Sequence, residues 1–394
     1  MGLVSTMAFF GACVGHIAIL VYSLNWWYGL PLPHRFLSAL RFLHGILVVV
    51  GLAGFGYAWF LFHSWTHWLA LETPKDLIAV SYAVACALVG WLVVPAVTIK
   101  RYFRANPRVL ASNHTEVFDV AEKLGFKPAG RGRHRLLAHL PGNEIFKVDF
   151  AERVLQMARL PVAWDGLTIL HMTDLHFSGT PDRVFYQEVT RRCRDWDPDL
   201  VAITGDFVDG PYFHRWILPA LGWLRARIAC FAVLGNHDSW YEPDGVKRKL
   251  QSLGIQVLDN SWTTIDVRGQ TLVVVGHEGP WFRPGPDLAE CPDSPFRLCL
   301  SHTPDNIAWA KRNQIDLMLA GHVHGGQIRF PVVGSVLVPS VYSRRYDCGV
   351  FDEPPTVLHV SRGLGGQHPL RYNCRPEVTK LVLSAALSTT EGQP

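Results

Sequence analysis

Acidic, amide and imidazole side chains recur in short blocks between positions 174 and 324 of this 394-residue sequence. The blocks read Asp174-Leu175-His176, Gly205-Asp206-Phe207-Val208-Asp209, Gly235-Asn236-His237-Asp238, Ser301-His302 and Gly321-His322-Val323-His324-Gly325-Gly326. They offer carboxylate oxygen, amide oxygen and imidazole nitrogen without a thiolate. That mixture suits a reactive Mn, Fe or Zn centre better than a structural cysteine-zinc site. Asp174 and His176, two positions apart, can share one ion. The glycines beside the ligands let the backbone turn sharply and come close to ions and anions.

Side chains so far apart in sequence meet only if regular elements carry them. Residues 167–172, 200–204, 230–234, 298–301 and 317–320 are apolar runs that read as buried strands, with helical stretches between most of them. This alternation predicts an α/β sheet covered by helices on both faces, and a hairpin pattern around Arg268-Gly269 adds antiparallel strands. Each ligand block follows a predicted strand. In open α/β sheets ligands gather at the carboxyl ends of strands, so the blocks are expected to converge there.

Taken in order, the blocks match D-x-H, G-D-x-x-D, G-N-H-D/E, H and G-H-x-H, and the sequence from about residue 145 onward resembles the calcineurin-like metallophosphoesterases, in particular bacterial membrane-anchored members. The resemblance implies a layered αββα sandwich with mixed sheets and two divalent metal ions. By that resemblance Asp174, His176, Asp206 and His324 hold one ion, while Asp206, Asn236, His302 and His322 hold the other. His237 then protonates or stabilises the departing oxygen, and Asp209 orients it. Two ions held about 3.5–4 Å apart lower the pKa of a shared water, orient phosphoryl oxygens and offset developing charge. Phosphoprotein phosphatases of this superfamily usually carry Arg soon after the second carboxylate and Glu after G-N-H. This sequence has Asp209-Gly210-Pro211 and Asp238, which favours a phosphodiester or pyrophosphate substrate. Beyond the blocks, Ser361-Arg362-Gly363-Leu364-Gly365-Gly366 predicts a loop, and Arg371 is a candidate clamp for a substrate anion.

Apolar residues make up 49% of the chain and charged residues 18%, an excess that sits in the first hundred positions. Residues 3–24, 42–62 and 77–99 are apolar runs long enough to span a bilayer as helices. Trp26, Trp27 and Tyr28, and Trp65 and Trp68, are placed to form interfacial aromatic belts. Arg35 and Arg41 follow the first run, and Lys100, Arg101, Arg104 and Arg108 follow the third, whereas Glu72, Lys75 and Asp76 lie between the second and third. The positive-inside rule then puts the carboxyl-terminal part in the cytoplasm. The expected organisation is a three-span region over 1–100, a juxtamembrane connector over 101–145 with a helix at 115–124, and the catalytic domain over 146–394. Eight cysteines without CxxC pairing agree with a reducing compartment.

The net charge is only +4, and its basic residues cluster after the third run and at Arg131, Arg133 and Arg135, where anionic lipid head groups are the expected partners. Basic and aromatic residues are not interleaved, so nucleic acid is not an expected partner. The whole predicts an integral protein of the inner membrane acting on a phosphate ester at its cytoplasmic face, with a lipid-linked ester among the candidate substrates. A catalytically silent scaffold or sensor is the competing reading, and it would be marked by lost ligands. None is lost.

Overall fold

A computed structural model describes residues 2–61 and 74–385 and divides the chain into two units. The first comprises Met1–Ala105 and Phe330–Ser343, the second Asn106–Arg329 and Arg344–Pro394.

In the first unit, α1 (Gly2–Tyr28) and α2 (His34–Leu61) are followed by α3 (Pro74–Leu88), which continues through a π-helical turn at Val89–Val93 into α4 (Val94–Tyr102). Leu3–Tyr28, His34–Phe60 and Leu77–Tyr102 are each long and apolar enough to cross a membrane. Apolar side chains such as Val49, Val50 and Phe60 point outward, as side chains facing lipid do. Trp65, Trp68 and Glu72 lie outside the described residues. Close packing between α1 and α3 depends on glycine. A Cβ on Gly15 would collide with the Cys86 carbonyl oxygen, and one on Gly90 with that of Gly11. The one imidazole deep in α1 is also satisfied, since His16 bonds the Tyr82 hydroxyl (2.6 Å) and the Leu47 carbonyl (3.0 Å).

The second unit begins with β1 (Leu110–Asp119), α5 (Val120–Leu124), β2 (Lys147–Met157), β3 (Leu167–Met172), α6 (Arg183–Cys193), β4 (Leu200–Thr204), α7 (Ile217–Leu221) and β5 (Ala229–Val233). Then come α8 (Asn236–Trp240), α9 (Pro243–Gln251), β6 (Gln256–Val257), β7 (Trp262–Val267), β8 (Gln270–His277), β9 (Arg297–Ser301), α10 (Ile307–Arg312) and β10 (Leu317–Ala320). A small hairpin, β11 (Arg329–Phe330) and β12 (Gly334–Ser335), lies at the start of the segment that belongs to the first unit, and β13 (Gly349–Glu353), β14 (Thr356–Val360) and β15 (Glu377–Ala385) complete the second. One sheet has the order β1-β2-β15-β3-β4-β5-β6 and the other β13-β14-β10-β9-β8-β7. The predicted layered α/β sandwich of mixed sheets is what forms.

Strand alternation builds the layers. Ile169, Ala202 and Phe231 of the first sheet share one core cluster with Val274, Leu300 and Leu319 of the second. The intervening residues Leu170, Val201 and Ala232 face the other way and pack with Phe185 and Val189 of α6 and Leu250 of α9. Strands buried on both faces read as continuous apolar runs, which is why they stand out in the sequence. All eight cysteines are free thiols.

The stretch expected to be a connector is built differently. Residues 115–119 are strand, and β1 pairs antiparallel with β2 from Leu110 to Asp119, leaving a helix only at Val120–Leu124. Asp119 starts that helix by accepting the Ala121 and Glu122 N–H groups (3.0 and 3.1 Å). The β-branched and aromatic residues Thr115, Val117 and Phe118 suit an edge strand, but β1 is exposed along most of its length and therefore carries little of the alternation that marks a half-buried strand.

Candidate metal centre

The parallel pairs β3–β4, β4–β5 and β9–β10 point their carboxyl ends the same way, and every ligand block sits in the loop that follows one of them. Asp174 and His176 follow β3, Asp206 and Asp209 follow β4, and Asn236 and His237 open α8 after β5. His302 follows β9, and His322 and His324 follow β10. Asp174, His176, Asp206, His322 and His324 all adopt left-handed backbone angles, with φ between 45° and 70°. Non-glycine residues rarely hold such angles, and their concentration here marks a site where geometry overrides backbone preference. Two glycines make room. A Cβ on Gly235 would strike the Asp206 carboxylate, and one on Gly205 (φ 92°) would lie 2.7 Å from His302 Nδ1.

Asp206 is at the centre. Its Oδ2 lies 3.4 Å from His176 Nε2 on one side and 3.4 Å from His302 Nε2 on the other. On the first side, His176 Nε2 faces His324 Nε2 at 3.2 Å, and Asp174 Oδ1 is 3.8 and 3.6 Å from these two nitrogens. On the second, Asn236 Oδ1 is 3.0 Å from His302 Nε2, and His322 offers a nitrogen within 4.8 Å of the Asp206 and His302 donor atoms. The opposite ring nitrogens are already committed. His176 Nδ1 donates to Asp209 Oδ1 (2.8 Å) and His302 Nδ1 to the Thr204 carbonyl (2.7 Å), so both rings turn Nε2 inward. His322 Nε2 is buried without a hydrogen-bond partner. Converging lone pairs and an unpaired buried nitrogen fit divalent cations, which accept from all of them together, whereas a proton joins only two.

The electrostatics agree. Burial pushes the Asp206 carboxyl up, but His302, His237 and His176 outweigh it and hold it well below the ordinary carboxylate range. Asp174 behaves likewise, with His324, His176 and His302 outweighing burial. Burial pushes His322 down to about 3, with His302 adding to it, so the ring stays neutral and one of its nitrogens keeps its lone pair. His324 is pushed down to about 3 by burial, and there the Asp174 carboxylate opposes the shift. Burial opposes the charged form of His302, yet Asp206 raises it to about 9. A proton on His302 and a metal cation answer the same surplus of negative charge.

Asp209 serves two rings, because its Oδ1 also accepts from His237 Nδ1 at 2.6 Å. His237 lies against Trp240, with ring centroids 4.6 Å apart, and Trp281 lies 4.8 Å from His322 and 5.5 Å from His302. These tryptophans carry no sequence signal beyond being aromatic. Asp238 was legible only as the acid that closes G-N-H-D. Its buried carboxylate accepts the N–H groups of Asp206, Phe207 and Gly235 at 2.9 Å and that of Val208 at 3.2 Å, and so shapes both loops. Replacing Asp238 by Ala leaves those buried donors unmet, at about 1–3 kcal/mol each where water does not reach them. Asp238→Ala is therefore expected to lower unfolding free energy by at least about 3 kcal/mol in denaturant titration, whereas a change under about 1 kcal/mol would deny it that role.

Arg371 is not placed to clamp a substrate. It is fully buried, and its guanidinium donates to the carbonyl oxygens of His324 (3.2 Å), Arg362 (2.9 Å) and Gly365 (2.5 Å). A guanidinium with five fixed donors can brace loop carbonyls as well as bind anions, and sequence alone does not separate the two.

Comparison with known proteins places these features. The profile of the calcineurin-like phosphoesterases matches residues 167–326. The chain is 34% identical over 229 residues to the phosphodiesterase YaeI of Escherichia coli, covering 55% of this chain and 81% of YaeI. It is 27% identical over 259 residues to the transmembrane protein with metallophosphoesterase domain of Danio rerio, covering 59% of this chain and 56% of that protein. It is 24% identical over 279 residues to the UDP-2,3-diacylglucosamine pyrophosphatase LpxG of Chlamydia trachomatis, covering 54% of this chain and 82% of LpxG.

Proposed function

This chain belongs to the calcineurin-like phosphoesterase family, whose members are metal-dependent hydrolases, and we propose that it cleaves a lipid-linked phosphodiester or pyrophosphate at the cytoplasmic face of the inner membrane. The observation that carries the catalytic part is the Asp206 carboxylate, equidistant at 3.4 Å from His176 Nε2 and His302 Nε2. Such a position would suit a carboxylate shared between two ions. Asp174, His176, Asp206 and His324 would hold one ion, and Asp206, Asn236, His302 and His322 the other. When bound, such ions supply Lewis acidity that orients phosphoryl oxygens, activates water and offsets developing charge.

The chain's own residues do the rest. Asp209 fixes the His237 ring through Nδ1, leaving Nε2 to deliver a proton to the departing oxygen. The same carboxylate fixes His176, so acid and ligand are positioned by one group. Trp240 and Trp281 provide apolar walls beside His237 and His322.

The lipid part of the reading is supported by the three apolar helices, by the basic residues that follow α1 and α4, and by the name of the LpxG relative, a pyrophosphatase of a diacylated sugar nucleotide. Anionic head groups attract juxtamembrane Lys and Arg, which favours the cytoplasmic side. The full-length chain in vesicles is expected to cleave UDP-2,3-diacylglucosamine with a kcat/KM at least about tenfold above that for bis(p-nitrophenyl) phosphate, because confinement raises the local substrate concentration. Both activities should vanish in EDTA and return with Mn²⁺. Equal kcat/KM for the two esters would remove the lipid assignment and leave the phosphoesterase.

A further inference from the structure

Between Arg329 and Arg344 the chain leaves the catalytic unit, and the intervening Phe330–Ser343 belongs with the apolar helices. The segment reads Phe-Pro-Val-Val-Gly-Ser-Val-Leu-Val-Pro-Ser-Val-Tyr-Ser and contains no charged residue. It is too short to span a bilayer. Asn25, near the end of α1, is buried and gives this segment nearly all its polar capacity. Its Nδ2 donates to the Val336 carbonyl (3.0 Å) and Ser343 Oγ (3.1 Å). Its Oδ1 accepts the Val338 N–H (2.9 Å), and its backbone oxygen accepts that of Ser340 (3.1 Å). Arg101, in the last turn of α4, donates to Ser335 Oγ (3.2 Å). An asparagine at the end of a membrane helix is costly unless paired, and here the pairing is with this loop.

The opposite side of the loop is apolar and turned outward. Phe330 is 54% exposed, Val332 65% and Leu337 55%. The depth of the loop is set by its anchor, because Asn25 directly precedes Trp26, Trp27 and Tyr28, the residue types that gather at the boundary of acyl chains and head groups. Arg101 and Lys100 supply positive charge beside it for anionic head groups. Apolar side chains clustered at that depth, continuous with lipid-facing helices, fit the acyl boundary of a leaflet.

We propose that Phe330–Ser343 is an interfacial loop inserted into the phospholipid leaflet, a surface that rests on the membrane placement argued above. It follows the His322-Val323-His324 turn closely in the chain.

The test uses the full-length chain with p-benzoylphenylalanine in place of Val332 or Leu337, reconstituted into vesicles of phosphatidylethanolamine and phosphatidylglycerol and irradiated. Intact-mass measurement should then show phospholipid adducts at both positions. The same variants irradiated in detergent without phospholipid should give none. Absence of lipid adducts at Val332 and Leu337, or crosslinks between two copies of the chain in their stead, would overturn the proposal. The readout needs no turnover. A loop that misses the lipid while UDP-2,3-diacylglucosamine is still cleaved defeats only this inference, and lipid adducts on a chain inactive toward every ester defeat only the catalytic reading.

Discussion

Asp206→Asn is expected to lower turnover of every phosphate ester by at least about 10³-fold, since the Lewis acidity lost with the centre supplies several kcal/mol and each 1.36 kcal/mol is tenfold. The side chain touches both halves of the centre, with Oδ2 3.4 Å from His176 Nε2 and from His302 Nε2. Its Oδ1 accepts the His237 backbone N–H at 2.9 Å, and an amide oxygen can keep that bond. The substitution therefore preserves the loop and removes the charge. Without that carboxylate His302 loses the partner that raises it and reverts toward the neutral form that burial favours. The checks are kcat with bis(p-nitrophenyl) phosphate, metal content per chain, and a thermal melt to establish folding. A folded variant with unchanged metal content and turnover within about tenfold of the parent would contradict the shared-ligand role.

His237→Ala should cost about 10²–10⁴-fold, and the size of the loss should depend on the leaving group. A departing alkoxide needs a proton and suffers the full loss. A departing p-nitrophenolate needs little help and suffers a small one. Asp209→Asn should behave differently, because Asp209 Oδ1 accepts from His176 Nδ1 as well as from His237 Nδ1. It misorients a candidate ligand together with the acid, so about 10–100-fold in metal affinity should go with the lost rate. A His237→Ala variant equally impaired on alkyl and p-nitrophenyl esters would show that the residue is not the proton donor.

The legible part of this protein was the part written in short, local patterns. Strands β3, β4, β5, β9 and β10 are largely buried, so their apolar runs show in the sequence, as do the glycines Gly205, Gly235 and Gly321 after β4, β5 and β10. Features that depend on pairing at a distance did not show. The exposed edge strand β1 carries little alternation, Asp238 looks like any loop acid until its four backbone donors are seen, and Arg371 is as consistent with an anion clamp as with a brace for carbonyls. The segment Phe330–Ser343 resembles an ordinary apolar loop, and only its hydrogen bonds with Asn25 reveal that it belongs with a helix more than three hundred residues earlier.

The most direct measurement is anomalous diffraction from crystals of the purified chain grown with Mn²⁺, combined with elemental analysis of the same sample. Two peaks about 3.5–4 Å apart, with Asp206 between them and close to two metal atoms per chain, are the predicted result. A single peak, or metal held by His176, Asp209 and His237 with Asp206 uncoordinated, would contradict it.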